Sequence, residues 1–177
     1  MELTNSCRHF LVNYYLLKQT MDETNLFLED IAKRLAERLD EHLRIKDDDL
    51  VTFDVWVRPG GGDVDLNLWI REGLPSLEHL GGRRYAIVYH DAIVRDDLPD
   101  PTSCRVWGYT LQKDSVLRAE IETAATTIGL PDPCRTIDVG LLEAPVDEVV
   151  DKLAKIFVSW YDDYVAIIRS LVDRSEG

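Results

Sequence analysis

Apolar residues recur with helical spacing at both ends of the chain. The N-terminal series follows steps of three and four, is interrupted once by Thr24, and comprises Leu3, Cys7, Phe10, Tyr14, Leu17, Met21, Leu28, Ile31 and Leu35, with a drift toward Leu39 and Leu43. This spacing predicts one long helix over residues 1–45. The alternative is two helices that break at "TMDET" (20–24), where Asp22 or Thr24 would cap the second.

The C-terminal series alternates steps of four and three without interruption and comprises Val146, Val150, Leu153, Phe157, Trp160, Tyr164, Ile167 and Leu171. Pro145 suits the first position of a helix, and Asp147 and Glu148 suit its positive N-terminal end. We therefore expect one helix over residues 145–174 that packs along the N-terminal helix of the same chain. The alternative is a homodimer formed through the C-terminal helix.

The middle of the chain alternates apolar and polar residues, as strands do. The pattern predicts strands near residues 50–57, 64–70, 84–94, 104–112 and 135–142, with a helix over 115–130 that ends at Gly129. The expected fold class is α+β: an antiparallel sheet of about five strands flanked by long N-terminal and C-terminal amphipathic helices. We expect a single domain over residues 1–177, with its strand-rich part at 50–142.

The glycine-rich segment "RPGGGDVDLNLW" (58–69) joins the first two predicted strands, and its glycines suit a turn at residues 59–62. The cross-strand pairs would then be Val51–Ile70, Phe53–Leu68, Val55–Leu66 and Val57–Val64 on an apolar face, and Asp54–Asn67, Trp56–Asp65 and Arg58–Asp63 on a polar face. A register shifted by two residues would place two aspartates opposite each other, which is unfavourable. A hairpin therefore explains the segment.

The ten letters "GGGDVDLNLW" also resemble part of the signature of the nucleotidyltransferase superfamily, in which a strand with Asp-x-Asp holds two metal ions. The resemblance implies a metal-dependent nucleotidyl- or phosphoryl-transfer enzyme with Asp63 and Asp65 as the metal-binding carboxylates. The family's upstream phosphate-binding turn has no counterpart here, because the preceding residues are the strand "LVTFDVWV". The hairpin and the metal site are alternative interpretations of one segment.

A net charge of −13 sets the partners that we expect. It repels phosphate backbones, so we expect no direct nucleic-acid binding, and it suits either a basic protein partner or a salt-rich environment. Three scattered cysteines form no metal or disulfide pattern, and no leader or membrane span is evident. We therefore expect a cytoplasmic protein without a cofactor and without membrane contact.

Residues with catalytic spacing are scarce, because the sequence has neither a serine nucleophile elbow nor a pair of histidines at metal-binding spacing. Tryptophans on the polar face of the predicted hairpin are the stronger candidates. The predicted binding residues are Trp56, Asp65, Asn67, Trp69, Arg71 and Trp107. Such a surface suits a peptide or a small ligand, although a covering helix would make the same residues part of the core.

These features favour a non-enzymatic protein-interaction or accessory protein of the immunity, antitoxin or chaperone kind. The helix–strands–helix layout resembles that of small acidic α+β secretion chaperones, at the level of the fold alone. The metal-dependent enzyme and the tryptophan-lined ligand binder remain as alternatives from other functional classes.

Overall fold

The two ends of the chain form its two longest helices, and the strands lie between these helices in the sequence. The computed structural model describes residues 5–57, 64–71, 74, 77, 85–91, 103–110, 115–130, 135–138 and 144–176. For residues 5, 85–91, 103–110, 115–118 and 135–138 it describes the backbone alone. The elements in chain order are α1 (Asn5–Lys46), β1 (Val51–Val57), β2 (Val64–Ile70), β3 (Tyr85–Asp91), β4 (Ser103–Thr110), α2 (Ser115–Thr127), β5 (Arg135–Asp138) and α3 (Val146–Ser175).

Helix α1 is continuous over 42 residues, so the alternative of a break at residues 20–24 is wrong. The residues that suited a cap lie inside the helix. The hydroxyl of Thr20 donates to the carbonyl oxygen of Leu16 at 3.0 Å, and that of Thr24 donates to the carbonyl oxygen of Thr20 at 2.8 Å. Bonds of this kind satisfy the hydroxyl within a helix. No cap is needed at residues 20–24, because the helix continues through them.

Helix α3 packs along the C-terminal half of α1, as predicted for a single chain. Ion pairs join Arg34 to Asp147 at 3.2 Å and Lys46 to Asp162 at 2.5 Å. Because residue numbers rise together along both helices, the two helices run parallel. The apolar side chains of α1 and α3 that are buried in the common core are Leu28, Ile31, Ala32, Leu35, Leu39, Leu43, Val149, Val150, Leu153, Ala154, Phe157, Trp160, Tyr161, Tyr164, Val165, Ile167, Ile168 and Leu171.

Strands β1 and β2 form an antiparallel pair in the predicted register, from Val51 opposite Ile70 to Val57 opposite Val64. This register is confirmed, except for the Arg58–Asp63 pair, which lies outside the described residues. The apolar face of the pair meets the helices: the ring of Phe53 contacts that of Tyr161 edge to face, with centroids 6.3 Å apart. The burial of β1 on one face accounts for the register, because a shift of β1 by one residue would turn its apolar side chains toward the open face.

The prediction of a five-stranded sheet flanked by both long helices requires correction, although α+β remains the class. The sheet that α1 and α3 contact is the two-stranded antiparallel pair of β1 and β2. Backbone pairing continues from β2 to β3, β4 and β5 in chain order. The first half of α1 does not flank the sheet, because residues 6–27 are exposed.

The ends of α2 and α3 follow local rules closely. Helix α2 ends at Thr127 and is terminated by Gly129, whose φ of +73° is accessible to glycine at little cost. The N–H of Gly129 donates to the carbonyl oxygen of Thr126, and that of Leu130 donates to the carbonyl oxygen of Ala125, which is the Schellman arrangement. Pro145 precedes the first helical residue of α3 and does not occupy that position itself, one residue from the prediction.

Two tyrosines of α3 place hydroxyl groups in the protein interior. The Tyr161 oxygen accepts a hydrogen bond from the backbone N–H of Asp48 at 3.4 Å. The Tyr164 hydroxyl is buried and has no hydrogen-bond partner among the described residues. Burial raises the pKa of both tyrosines above 10, and the larger effect is on Tyr164.

Candidate functional site

The face of the β1–β2 pair that points away from α3 carries the binding residues predicted from the sequence. Trp56 in β1 is 62% exposed, whereas its cross-strand neighbour Asp65 in β2 is 6% exposed. Asn67 is buried too, and Trp69 is half-buried. Strand β2 is thus covered on both faces, while β1 remains open on this one.

The two tryptophans of this pair lie at opposite ends of it. Trp69 is opposite Thr52, four residues from Trp56 along β1, which corresponds to a separation of about 13 Å. The indole N–H of Trp56 donates to the carboxylate of Asp54 on the same strand. Asp54 and Asn67 lie opposite each other between the tryptophans, so the described part of this face is not one continuous aromatic patch.

Backbone pairing brings Trp107 into line with two of the other predicted residues. Trp107 of β4 is opposite Tyr89 of β3, and Tyr89 is opposite Asp65 of β2. The four positions Trp56, Asp65, Tyr89 and Trp107 therefore form one cross-strand row. The side chains of Tyr89 and Trp107 are outside the described residues.

Arg71 acts at a different place from the tryptophans. Its guanidinium donates to the Asp47 carboxylate at 3.2 Å and to the carbonyl oxygen of Asp48 at 2.9 Å. Asp48 in turn accepts from the backbone N–H of Leu50 at 2.7 Å and from Arg169 of α3 at 3.2 Å. Arg71 thus joins the end of β2 to the α1–β1 connection, which is a structural position.

Asp63, one of the two aspartates of the metal-site interpretation, lies outside the described residues. Within the ranges that the structure does describe, no group of three or more histidine, cysteine, aspartate or glutamate side chains is placed to hold a metal ion. Asp65 is buried in β2 and takes part in an interaction within the protein. The pair of aspartates in the metal-site interpretation therefore lies only in part within the described residues.

A polar groove of about 480 Å³ runs between α1 and α3, and charged side chains line it. Those charges are largely paired with one another. Arg34 contacts Asp30 at 2.9 Å as well as Asp147, and Arg38 contacts Asp151. The ion pairs with Asp147 and Asp151 join α1 to α3. These paired side chains stabilise the contact between the helices and do not form a catalytic cluster.

The most unusual surface of the described protein is the first half of α1. Residues 6–27, which we call the arm, are all exposed, although they form helix throughout. At about 1.5 Å per residue the arm is about 33 Å long. Its exposed large apolar side chains are Phe10, Leu11, Val12, Tyr14, Tyr15, Leu16, Leu17, Met21, Leu26 and Phe27.

The arm is uncovered because α3 begins too late to reach it. The first turn of α3 lies beside Arg34, where Asp147 forms its ion pair, and α3 then runs toward the C-terminal end of α1. The apolar series that is buried at Leu28, Leu35 and Leu39 nevertheless continues into the arm. The arm therefore presents the same kind of packing surface as the core half of α1, without a covering element in the described part of the chain.

The apolar area of the arm is large for an exposed surface. Ten large side chains that are roughly half exposed amount to roughly 80 Å² each, or roughly 800 Å² together. A typical monomer exposes no apolar patch above about 300–600 Å², and one partner of a standard protein–protein interface contributes about 800 Å². A helix that is apolar on most sides is normally buried. The arm therefore has the size and character of one half of an interface.

The sequence contained a signal for this arm that periodicity alone did not reveal. The stripe through Phe10, Tyr14 and Leu17 was expected to pack inside the chain. Leu11, Val12, Tyr15 and Leu16 lie off that stripe, and apolar residues on several sides of a helix need more than one neighbour. The observed lengths of 42 residues for α1 and 30 for α3 show that α3 cannot cover all of α1.

Comparison with known proteins yields no match to a protein-family model, to a curated protein or to a solved structure. The helices of the described ranges include none that combines the length and the apolar character needed to cross a membrane.

Proposed function

We propose that this chain is a non-enzymatic protein-interaction protein, and that the α1 arm binds another polypeptide chain. The observation that supports this proposal is the run of 22 consecutive exposed helical residues with ten exposed large apolar side chains. An interface with a protein would bury this surface over its whole length, whereas a small ligand would cover only a few side chains.

The charged residues of the arm indicate what kind of surface it binds. Residues 6–20 contain Arg8 and Lys18 but neither aspartate nor glutamate, so this segment carries +2 in a chain whose net charge is −13. The acidity that favoured a basic partner thus belongs to the remainder of the chain. The arm as a whole carries no net charge, because Asp22 and Glu23 balance Arg8 and Lys18, so it binds through apolar packing.

A matched pair of variants on the same helix tests this proposal. Leu17→Glu introduces a charge into the arm, and Ile45→Glu introduces the same charge at an apolar residue of α1 that is 84% exposed outside the arm. Each full-length protein would be purified gently from its own host and weighed by native mass spectrometry. We expect a stoichiometric second polypeptide with the wild type and with Ile45→Glu, and its loss with Leu17→Glu.

Equal behaviour of the two variants would contradict the proposal, whether both keep the second polypeptide or both lose it. Circular dichroism of the purified variants is the necessary control. Leu17 and Ile45 are both exposed, so neither substitution should change the free energy of unfolding by more than about 0.5 kcal/mol.

A further inference from the structure

We infer that the occupant of the arm is the arm of a second copy of this chain, packed antiparallel to the first. This inference rests on the proposed function, and it names the partner of the same surface. Three features of the described residues support it: the continuity of the apolar seam, the distribution of charge, and the match of side chains in an antiparallel register.

The apolar seam of α1 suits a second helix of the same kind. Its positions in the arm are Cys7, Phe10, Tyr14, Leu17 and Met21, and they keep the spacing of the buried positions from Leu28 onward. Steps of three and four repeated over several turns place one side of a helix against another helix. In the core half of α1 that other helix is α3, and in the arm the seam is exposed.

Charge favours the antiparallel orientation over the parallel one. The chain outside the arm carries −13, because Arg8 and Lys18 balance Asp22 and Glu23 within the arm. Parallel arms would bring two such acidic bodies side by side. Antiparallel arms separate them by about 35 Å along the helix axis, well beyond the screening length of about 8 Å at physiological salt.

The antiparallel orientation also places the basic part of each arm near acidic residues of its partner. In the register that aligns Tyr14 with Leu17 of the second copy, Arg8 lies at the level of Glu23. The parallel, in-register orientation would instead place Arg8 at the level of Arg8. These positions lie on the outer sides of the paired helices, so they make only a small, long-range contribution to the orientation.

The same register gives apolar layers along the seam. Tyr14 is level with Leu17 of the second copy, and Phe10 is level with Met21. The only polar seam residue of the arm, Thr24, is then level with Cys7 at the edge of the paired region. The exposed apolar residues on the seam or directly beside it contribute roughly 400 Å² per arm, which corresponds to a small interface; they are Phe10, Leu11, Tyr14, Leu17 and Met21. The other apolar residues of the arm lie on other sides of the helix.

Thr24→Cys tests the orientation, because in the antiparallel register the new thiol is level with the native Cys7 of the other copy. Under mild oxidation we expect a covalent dimer whose peptide map contains the link between positions 7 and 24. Gln19→Cys is the matched control on the outer side of the helix, and it should not form the corresponding link. A link between two Cys7 residues in the wild type would indicate parallel arms and overturn the inference.

Light scattering of the full-length protein tests the stoichiometry at the same time. We expect a mass of twice 20.3 kDa for the wild type and for Ile45→Glu, and 20.3 kDa for Leu17→Glu. A wild-type dimer that Leu17→Glu leaves intact would overturn the inference. A monomeric wild type that retains a different host polypeptide in an arm-dependent manner would overturn the inference and leave the proposed function standing. A monomer with no arm-dependent partner would overturn both.

Discussion

Two leucines of α1 occupy equivalent seam positions but opposite environments, which allows a quantitative prediction. Leu35 is fully buried in the core, whereas Leu17 in the arm is 61% exposed. Truncation of a buried leucine to alanine removes its burial and leaves a cavity, at a cost of about 2–5 kcal/mol. The same change at an exposed position costs no more than about 0.5 kcal/mol in an isolated chain.

The free energy of unfolding should therefore fall by about 3 kcal/mol for Leu35→Ala at every protein concentration. This corresponds to a melting temperature about 6–12 °C lower for a chain of this size. Leu17→Ala should have no measurable effect in dilute protein, where the arms are separate. At high concentration it should destabilise the protein, because association contributes to the stability of the wild type and the variant loses part of that contribution.

Urea unfolding followed by circular dichroism, at two protein concentrations separated by a factor of about one hundred, measures both effects. The wild-type midpoint should rise with concentration, and that of Leu17→Ala should rise less. The reasoning would be refuted if Leu17→Ala cost as much as Leu35→Ala in the dilute sample, since the arm would then be packed within its own chain.

Other substitutions test the fold around the arm. Tyr164→Phe removes a buried hydroxyl that lacks a partner among the described residues, so thermal unfolding should show a gain of about 1 kcal/mol. The folded pKa values of Tyr161 and Tyr164 lie above 10, so stability should be complete below pH 10 and decrease as the pH rises beyond it; Tyr164→Phe should weaken that decrease in an alkaline titration. Gly129→Ala should cost about 1 kcal/mol in a thermal melt, because the φ of +73° disfavours alanine although no atom lies within 4 Å of the added methyl group.

Local patterns predicted much of the fold. The β1–β2 register followed from one-sided burial, and the end of α2 followed from Gly129. The parallel packing of α3 on α1 agrees with the two apolar series at the chain ends. In each case the physical cause acts between residues that are close in sequence or in facing positions, so the pattern contained the information.

The arm was missed because its cause is not local. The stripe through Tyr14 and Leu17 has the same spacing as the stripe through Leu35 and Leu39, and periodicity cannot tell which part has a neighbour in the folded chain. The level at which α3 begins on α1 decides which part of α1 is covered. The exposed ion pair of Arg34 with Asp147 marks this level, and the buried apolar side chains of the two helices stabilise it. The function predicted from the sequence stays a proposal. The binding surface that we propose lies on α1 and not on the face of the sheet that the sequence indicated.

Hydrogen exchange along α1 is the most direct measurement of whether the arm is paired in solution. An unpacked helix of this length is marginally stable in water, so amides of residues 6–27 in an isolated chain should exchange quickly. Pairing predicts that these amides are protected at high protein concentration and lose that protection on dilution, while amides of residues 28–46 stay protected throughout. Arm amides that are protected equally at all concentrations, or at none, would contradict the account.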